Sequence, residues 1–274
     1  PPLRSSAASD VYKRQEDHGV KLKTEEDGRM FPTTDDSHTI IDCLTKSAND
    51  LGIKWRIHCG VTQLHQSDQT YEVFTSNGDH FIARNILVAT GGIRSRDARI
   101  PAENLNHELG SPVPSLFTFK INDARIHGLQ GVSVPHATAS TDSHQSEGPL
   151  LITHWGLSGP AILKISAWGA RDLSDSNYRF SVTINWTGSE SLESVQEIFH
   201  QHRRDHGVWK ISKRSPIDGI SKRLWQRMCE TSGIVDSTTW SKVTKLQSQT
   251  LAKELVQAKF SVDGKSLNKD EFVT

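Results

Sequence analysis

Three short stretches of this chain carry residue types able to do chemistry. The first, Asn85-Ile-Leu-Val-Ala-Thr-Gly-Gly92, is an apolar run that stops in a small polar residue and two glycines. Ile86, Leu87, Val88 and Ala89 show no polar alternation, the pattern of a strand covered on both faces in an α/β sheet. Such sheets bind ligands at the carboxyl ends of their strands, where glycines let backbone come close to a bulky group. Ala89, Thr90, Gly91 and Gly92 are therefore candidate cofactor contacts, with a plain turn as the alternative. In the second, Thr153-His154-Trp155-Gly156-Leu157-Ser158-Gly159-Pro160, Ser158 and Gly159 precede a proline that can open a helix. The free N–H groups of a helix start favour an anion or an electron-rich ring edge. His154 is a candidate proton donor, because imidazole side chains as a class can exchange protons near neutrality, set against the reading of a packed, hydrogen-bonded ring. The third, Gly28-Arg29-Met30-Phe31-Pro32, sets a guanidinium beside a glycine. Arg29 can grip a phosphate or carboxylate bidentately, or pair with Glu25, Glu26 or Asp27.

Other chemistries find no support. The thirteen histidines form neither a His-Glu-x-x-His nor a facial-triad spacing, so no metal is expected. A Gly-x-Ser-x-Gly elbow is missing, which removes the hydrolase reading. Lys plus Arg and Asp plus Glu both number 32, so no global field draws the chain to nucleic acid or anionic membrane. One local exception is Lys210, Lys213, Arg214, Lys222, Arg223 and Arg227, interleaved with Trp209 and Trp225. A solvated helical face is its default reading, and RNA binding is the other. Trp186, Trp209, Trp225 and Trp240 read as packing residues. Cys43, Cys59 and Cys229 lack a C-x-x-C spacing and read as buried thiols. No apolar run is long enough to span a bilayer, so the expected partners exclude a membrane and the expected compartment is the cytoplasm.

These residues need elements to position them. Apolar Ile40, Ile41, Leu44, Ala48 and Leu51 have helical spacing behind a cap at Asp36 or Ser37, with Gly52 as the stop. A strand over 54–58 follows, then a hairpin through Asn77-Gly78 and a helix over 102–109. Ser111-Pro-Val-Pro114 breaks the pattern and marks a domain boundary. Strands are expected over 116–121, 132–138, 150–154 and 178–186, with a helix over 159–173. Three helices then form around Leu192 to His202, Ile217 to Met228 and Leu251 to Val256. Residues 1–15 lack periodicity and read as a non-native leader. The expected domains are thus 16–110 and 111–274, the second β-rich over 111–190 and helical over 191–260.

Four motifs occur in an order that resembles one family. Lys21-Leu-Lys-Thr-Glu-Glu-Asp-Gly-Arg-Met-Phe-Pro32, Ala89-Thr-Gly-Gly92, Pro112-Val-Pro-Ser-Leu-Phe-Thr-Phe119 and Thr153-His-Trp-Gly-Leu-Ser-Gly-Pro-Ala161 are similar to the aminoacetone-oxidase-like FAD-binding flavoproteins of BaiN/YhiN type. The resemblance covers nearly all of 19–274. It implies an α/β fold, a partial FAD/NAD(P)-binding Rossmann-like domain carrying an inserted β-barrel-like and helical-bundle domain. It also implies FAD as cofactor and a small-molecule substrate, with NAD(P)H or oxygen as redox partner. Val61 would meet the adenine through its backbone, and Arg29 would lie on the substrate side of the flavin. The implied function is an FAD-dependent oxidoreductase with nucleic acid an unlikely partner; the alternative is an RNA- or partner-binding module on a vestigial flavoprotein fold. No Gly-x-Gly-x-x-Gly occurs in the sequence, so the chain is expected to be a piece of a longer one and to bind FAD weakly or not at all.

Overall fold

The computed structural model describes residues 6–25, 30–92 and 95–266. The architecture is mixed α/β, and every strand pairing among the described residues is antiparallel. The N-terminal part opens with helix α1 (Ser6–Asp17), which begins within the segment expected to be a non-native leader. The short pair β1 (Leu22–Thr24) and β2 (Met30–Pro32) leads to α2 (His38–Asp50). A three-stranded meander follows: β3 (Val61–Ser67), β4 (Thr70–Thr75) and β5 (His80–Ala83). Its second turn is the expected hairpin, where Gly78 takes the positive φ the tight turn requires and Asp79 O accepts from Thr75 N. Helix α3 (Arg96–Asn104) starts at Ser95, whose hydroxyl accepts from Ala98 N, so it lies several residues earlier than the 102–109 expectation.

Two expected strands of this part are not formed. Residues 54–58 and 85–89 have no strand partner among the described residues, and Leu87 is 91% exposed. A parallel central strand needs hydrogen-bonded neighbours on both edges. No described segment lies alongside 85–89 in that way, so its apolar sequence has nothing to be buried against. The same is true of α2, whose Ile41 and Leu44 stay exposed although their helical spacing was read correctly.

The C-terminal part is a closed barrel joined to a helical body. Its strands are β6 (Phe119–Lys120), β7 (Ser133–Ser140), β8 (Gln145–Ile152), β9 (Gly156–Ser158), β10 (Phe180–Asn185), β11 (Ala258–Val262) and β12 (Gly264–Lys265). They lie in the order β11-β10-β7-β8-β9-β6-β12. The two edge strands β11 and β12 are consecutive in the chain with Asp263 alone between them, so the sheet closes on itself and leaves no long free edge. Alternation sets the inside: Ala258, Phe260 and Val262 point in from β11, and Val182 and Ile184 from β10. Helix α4 (Pro160–Trp168) buries Ala161, Ile162 and Ile165 against β8, and Ser166 Oγ accepts from Phe117 N at 3.0 Å. Gly169 separates α4 from α5 (Ala170–Asp175), because a Cβ there would lie 2.6 Å from the His144 ring. The single helix expected over 159–173 is therefore two.

The helical body comprises α6 (Leu192–His206), α7 (Lys222–Thr231) and α8 (Lys245–Val256). Ser191, Ser221 and Thr244 cap them through their hydroxyls, and Thr244 and Gln247 form a reciprocal capping box. Val195, Phe199, Leu224, Trp225, Trp240, Leu251 and Leu255 join the core that continues into the barrel. Cys229 is buried, which pushes its thiol up to about 12, with Glu230 adding to the effect. Cys43 and Cys59 are only partly buried, contrary to expectation, because α2 and the meander leave one side open.

Arg125 links barrel and helical body. Its guanidinium meets Asp123 at 2.8 Å and Glu254 on α8 at 2.9 Å, and lies 4.1 Å from the Phe260 ring centre. The hydrogen bonds from Arg125 hold the Asp123 carboxyl below its ordinary value, against the opposing effect of burial. A depressed folded-state value stabilises above the unfolded one, near 3.8, and that stability is lost as pH falls through the folded value. Arg125→Ala should therefore cost about 2 kcal/mol near neutrality. It should also flatten the acid limb of stability, read from urea melts across the carboxylate range.

Candidate functional site

The sequence-named residues fall into two separate places. Val61 begins β3, partly exposed and paired with Thr75. Ala89, Thr90, Gly91 and Gly92 lie in exposed coil, where Thr90 Oγ1 donates to Ala98 O at 3.2 Å. Ser158 and Gly159 lie in the barrel, with Ser158 Oγ accepting from Thr118 Oγ1 at 2.9 Å. His154 is exposed at the end of β8, in a cleft of about 230 Å³ with Lys120, His127 and Trp155. Its ring makes no hydrogen bond among the described residues. Arg29 lies outside the described residues.

The glycines test whether these residues fit a flavin. Gly91 has a φ of +75° with no heavy atom of the described residues within 4 Å of a Cβ position, so none of them forms a cradle around it. Gly159 is crowded, but by the barrel itself: a Cβ would lie 2.8 Å from Pro149 O and 3.0 Å from Leu151 N. Gly159 is thus accounted for by the barrel's own backbone, whereas Gly91 is set apart by its positive φ alone. As placed, Val61, Ala89, Thr90, Gly91, Gly92, Ser158 and Gly159 do not assemble a seat for FAD. Among the described residues no group of three or more His, Cys, Asp or Glu is arranged to hold a metal.

A different place has the makings of a site. A cleft of about 580 Å³ opens at the C-terminal end of α6, lined by His202, His206, Trp209, Lys210, Lys213, Arg214, Asp218 and Trp240 among others. The local sequence explains its shape. Ile211 and Ser212 turn inward and are buried, which leaves Lys210, Lys213 and Arg214 facing out. The lip is held by backbone: Trp209 N donates to His206 O, and Trp240 N to Trp209 O. Ser212 Oγ donates to Asp236 Oδ1 at 2.7 Å. That bond, helped by Lys210, Lys213 and Lys222, holds the Asp236 carboxyl below its ordinary value.

Aromatic rings form the floor. The His206 imidazole stacks on Trp209 at 3.9 Å and 14°, and His202 lies edge-on to Trp240 at 4.9 Å. Burial, then His206 nearby, lowers the pKa of His202, with Asp205 opposing. Trp209 is 56% exposed, whereas Trp186, Trp225 and Trp240 are buried as expected. The packing role read for Trp209 is thus corrected: its loop lies at the cleft's rim with no element above it.

Five of the six cations of the basic stretch divide by their contacts. Arg223 donates to Gly128 O, and Arg227 to Ala124 O and His127 O, so both fasten the helical body to the barrel loop. Lys213 and Arg214 make no ion pair or side-chain hydrogen bond among the described residues, and Lys210 has only Asp236 at 4.0 Å. Sequence reasoning missed His202 and His206. Their i, i+4 spacing on one helical face, three residues before Trp209, was the available signal.

Among the described residues no helix is long and apolar enough to cross a membrane. Comparison with known proteins gives two family matches: an HI0933-like protein Rossmann domain over residues 2–147, and an HI0933-like protein barrel and H2TH domain over residues 113–273. A curated relative from Haemophilus influenzae, named ribosomal RNA dihydrouridine synthase, is 24% identical over 267 residues, covering 90% of this chain and 61% of its own length. One of the same name from Escherichia coli is 26% identical over 229 residues, covering 80% of this chain and 54% of its own. The chain thus spans little more than half the length of these relatives. Their names concern ribosomal RNA, which overturns the expectation of an oxidoreductase acting on an unidentified small molecule. With a Rossmann domain in one part and a barrel with helical domain in the other, the chain belongs to the HI0933-like family.

Proposed function

We propose that this chain is the RNA-engaging part of a protein that modifies ribosomal RNA, and that the cleft around Trp209 is its RNA contact. One observation carries the reading: Lys213 and Arg214 are exposed and unpaired beside an exposed indole, on a chain whose formal net charge is zero. Phosphate contacts by such cations supply most of the affinity in RNA binding, and aromatic faces take up unpaired bases. The relatives' printed name supports RNA as the substrate class.

The narrower reading within this proposal is addition of a hydride and a proton across a uridine ring double bond, as the relatives' name implies, for which a bound flavin in its reduced form would supply the hydride. The Rossmann match supports a flavin in this family. The narrower aminoacetone-oxidase-like likeness rests on four motifs alone and supplies no substrate. The domain division at 111–114 is part of the same proposal, with the helical body as the RNA-facing unit.

The test is direct binding of this chain to a ribosomal RNA fragment with unpaired uridines, followed by anisotropy at rising potassium chloride. Three phosphate contacts by Lys210, Lys213 and Arg214 predict a log–log salt slope of about −2 for single strands. Absence of saturable binding at low salt would overturn the proposal.

A further inference from the structure

Resting on the RNA-binding reading, we infer that Trp209 is a stacking platform for one unpaired nucleobase, with Lys213 and Arg214 holding the flanking phosphates. The platform is already half of a stack. His206 lies against one face of the indole, 14° from parallel at 3.9 Å, so that face is taken and the ring cannot rock toward α6. The backbone bonds of Trp209 to His206 and Trp240 fix the ring's root. More than half of the residue remains open, and it lines the cleft. A rigid aromatic face presented to solvent costs little further entropy when a flat partner covers it.

The chemistry selects the occupant. A base in a duplex has both faces covered by its neighbours, so only an unpaired base can lie on the indole. Its ribose–phosphate must extend beyond the ring, and Lys213 and Arg214 stand exposed on the same cleft. Asp218 also lines the cleft and disfavours phosphate on its own side, so the backbone should run along the Lys213–Arg214 side. The volume of about 580 Å³ suits a nucleotide, since small-molecule sites span roughly 300–1,000 Å³. Trp240 lines the same cleft but is 3% exposed and serves as wall, not platform. Recognition through a ring face is indifferent to base identity, so this contact confers preference for single strands rather than for a sequence.

The experiment compares this chain with Trp209→Ala and Trp209→Phe for binding oligouridine and a fully paired RNA duplex of equal charge. The wild type should prefer oligouridine. Trp209→Ala should lose between about fivefold and a hundredfold for oligouridine, the range of a single base–aromatic stack, and keep its duplex affinity. Trp209→Phe should stay within about threefold of wild type, because a π-face is retained. Oligouridine should quench the protein fluorescence of the wild type more than that of Trp209→Phe, the other six of the seven tryptophans being common to both. Should Trp209→Ala melt early, Trp209→Leu keeps the apolar bulk without the π-face and carries the same comparison. If the alanine variant, or its leucine substitute, binds oligouridine as the wild type does, the stacking inference falls while the RNA reading stands. If the wild type binds neither RNA, both fall.

Discussion

Gly156→Ala should prevent the barrel from closing and lower Tm by about 10 °C or more, the signature of a substitution beyond the usual 0.5–3 kcal/mol range. Gly156 begins β9 at a φ of +144°, a conformation L side chains rarely adopt. A Cβ there would lie 2.2 Å from Phe119 O and 2.6 Å from Ile121 N. Those atoms are backbone of and beside β6, which pairs with β9 through Lys120↔Gly156 and Phe119↔Leu157. The clash can be relieved only by parting β6 from β9, and that opens the sheet between two fully buried residues, Phe119 and Leu157. Gly91→Ala is the control. Its φ is also positive, at +75°, but a Cβ meets no heavy atom within 4 Å, so only local strain of about 1 kcal/mol is expected. Thermal melts followed by near-ultraviolet dichroism decide the matter, and equal shifts in the two variants would disprove the packing argument.

That contrast shows where the sequence was legible. Local signals read well: the Asn77-Gly78 turn, the Ser191 cap and the apolar spacing of α2 all occur as the residues suggest. Each depends on neighbours within a few positions. The run over 86–89 failed because a buried parallel strand is defined by partners remote in sequence, and none of the described segments supplies them. The glycines of the 153–161 motif were legible as constrained but not as to what constrains them. Gly156 makes room for Phe119 backbone, and Gly159, where an anion or a flavin edge was expected, lies against Pro149 and Leu151 backbone. The six cations of 210–227 were alike in composition, and only long-range hydrogen bonds separate Arg223 and Arg227, which join two bodies, from Lys213 and Arg214. A continuous helical face was the wrong picture for that stretch. Helix α6 ends at His206 and α7 begins at Lys222, with a 3-10 turn over Ile211–Lys213 between them, which turns the cations in different directions.

That division of the cations leads to the other large effect. The Lys213→Ala, Arg214→Ala double variant should bind single-stranded RNA about a hundredfold more weakly at low salt, taking charge-assisted contacts at the lower end of their usual strength. Its log–log salt slope should be shallower by about 1.4, the counterion release of two phosphate contacts on a single strand. Its Tm should stay at the wild-type value, since both side chains are exposed and hold nothing in place. Arg227→Ala should do the reverse. Its guanidinium is bonded to Ala124 O and His127 O, so its loss leaves two carbonyls of the barrel loop without their donor and loosens the joint with α7. A destabilisation of about 1–3 kcal/mol follows, with the salt slope unchanged. Measuring Tm and salt slope on both proteins gives a two-by-two pattern that a diffuse basic surface cannot reproduce. On such a surface every cation adds equally to the slope, so a change in slope for Arg227→Ala equal to half that of the double variant would remove the cleft as the RNA contact.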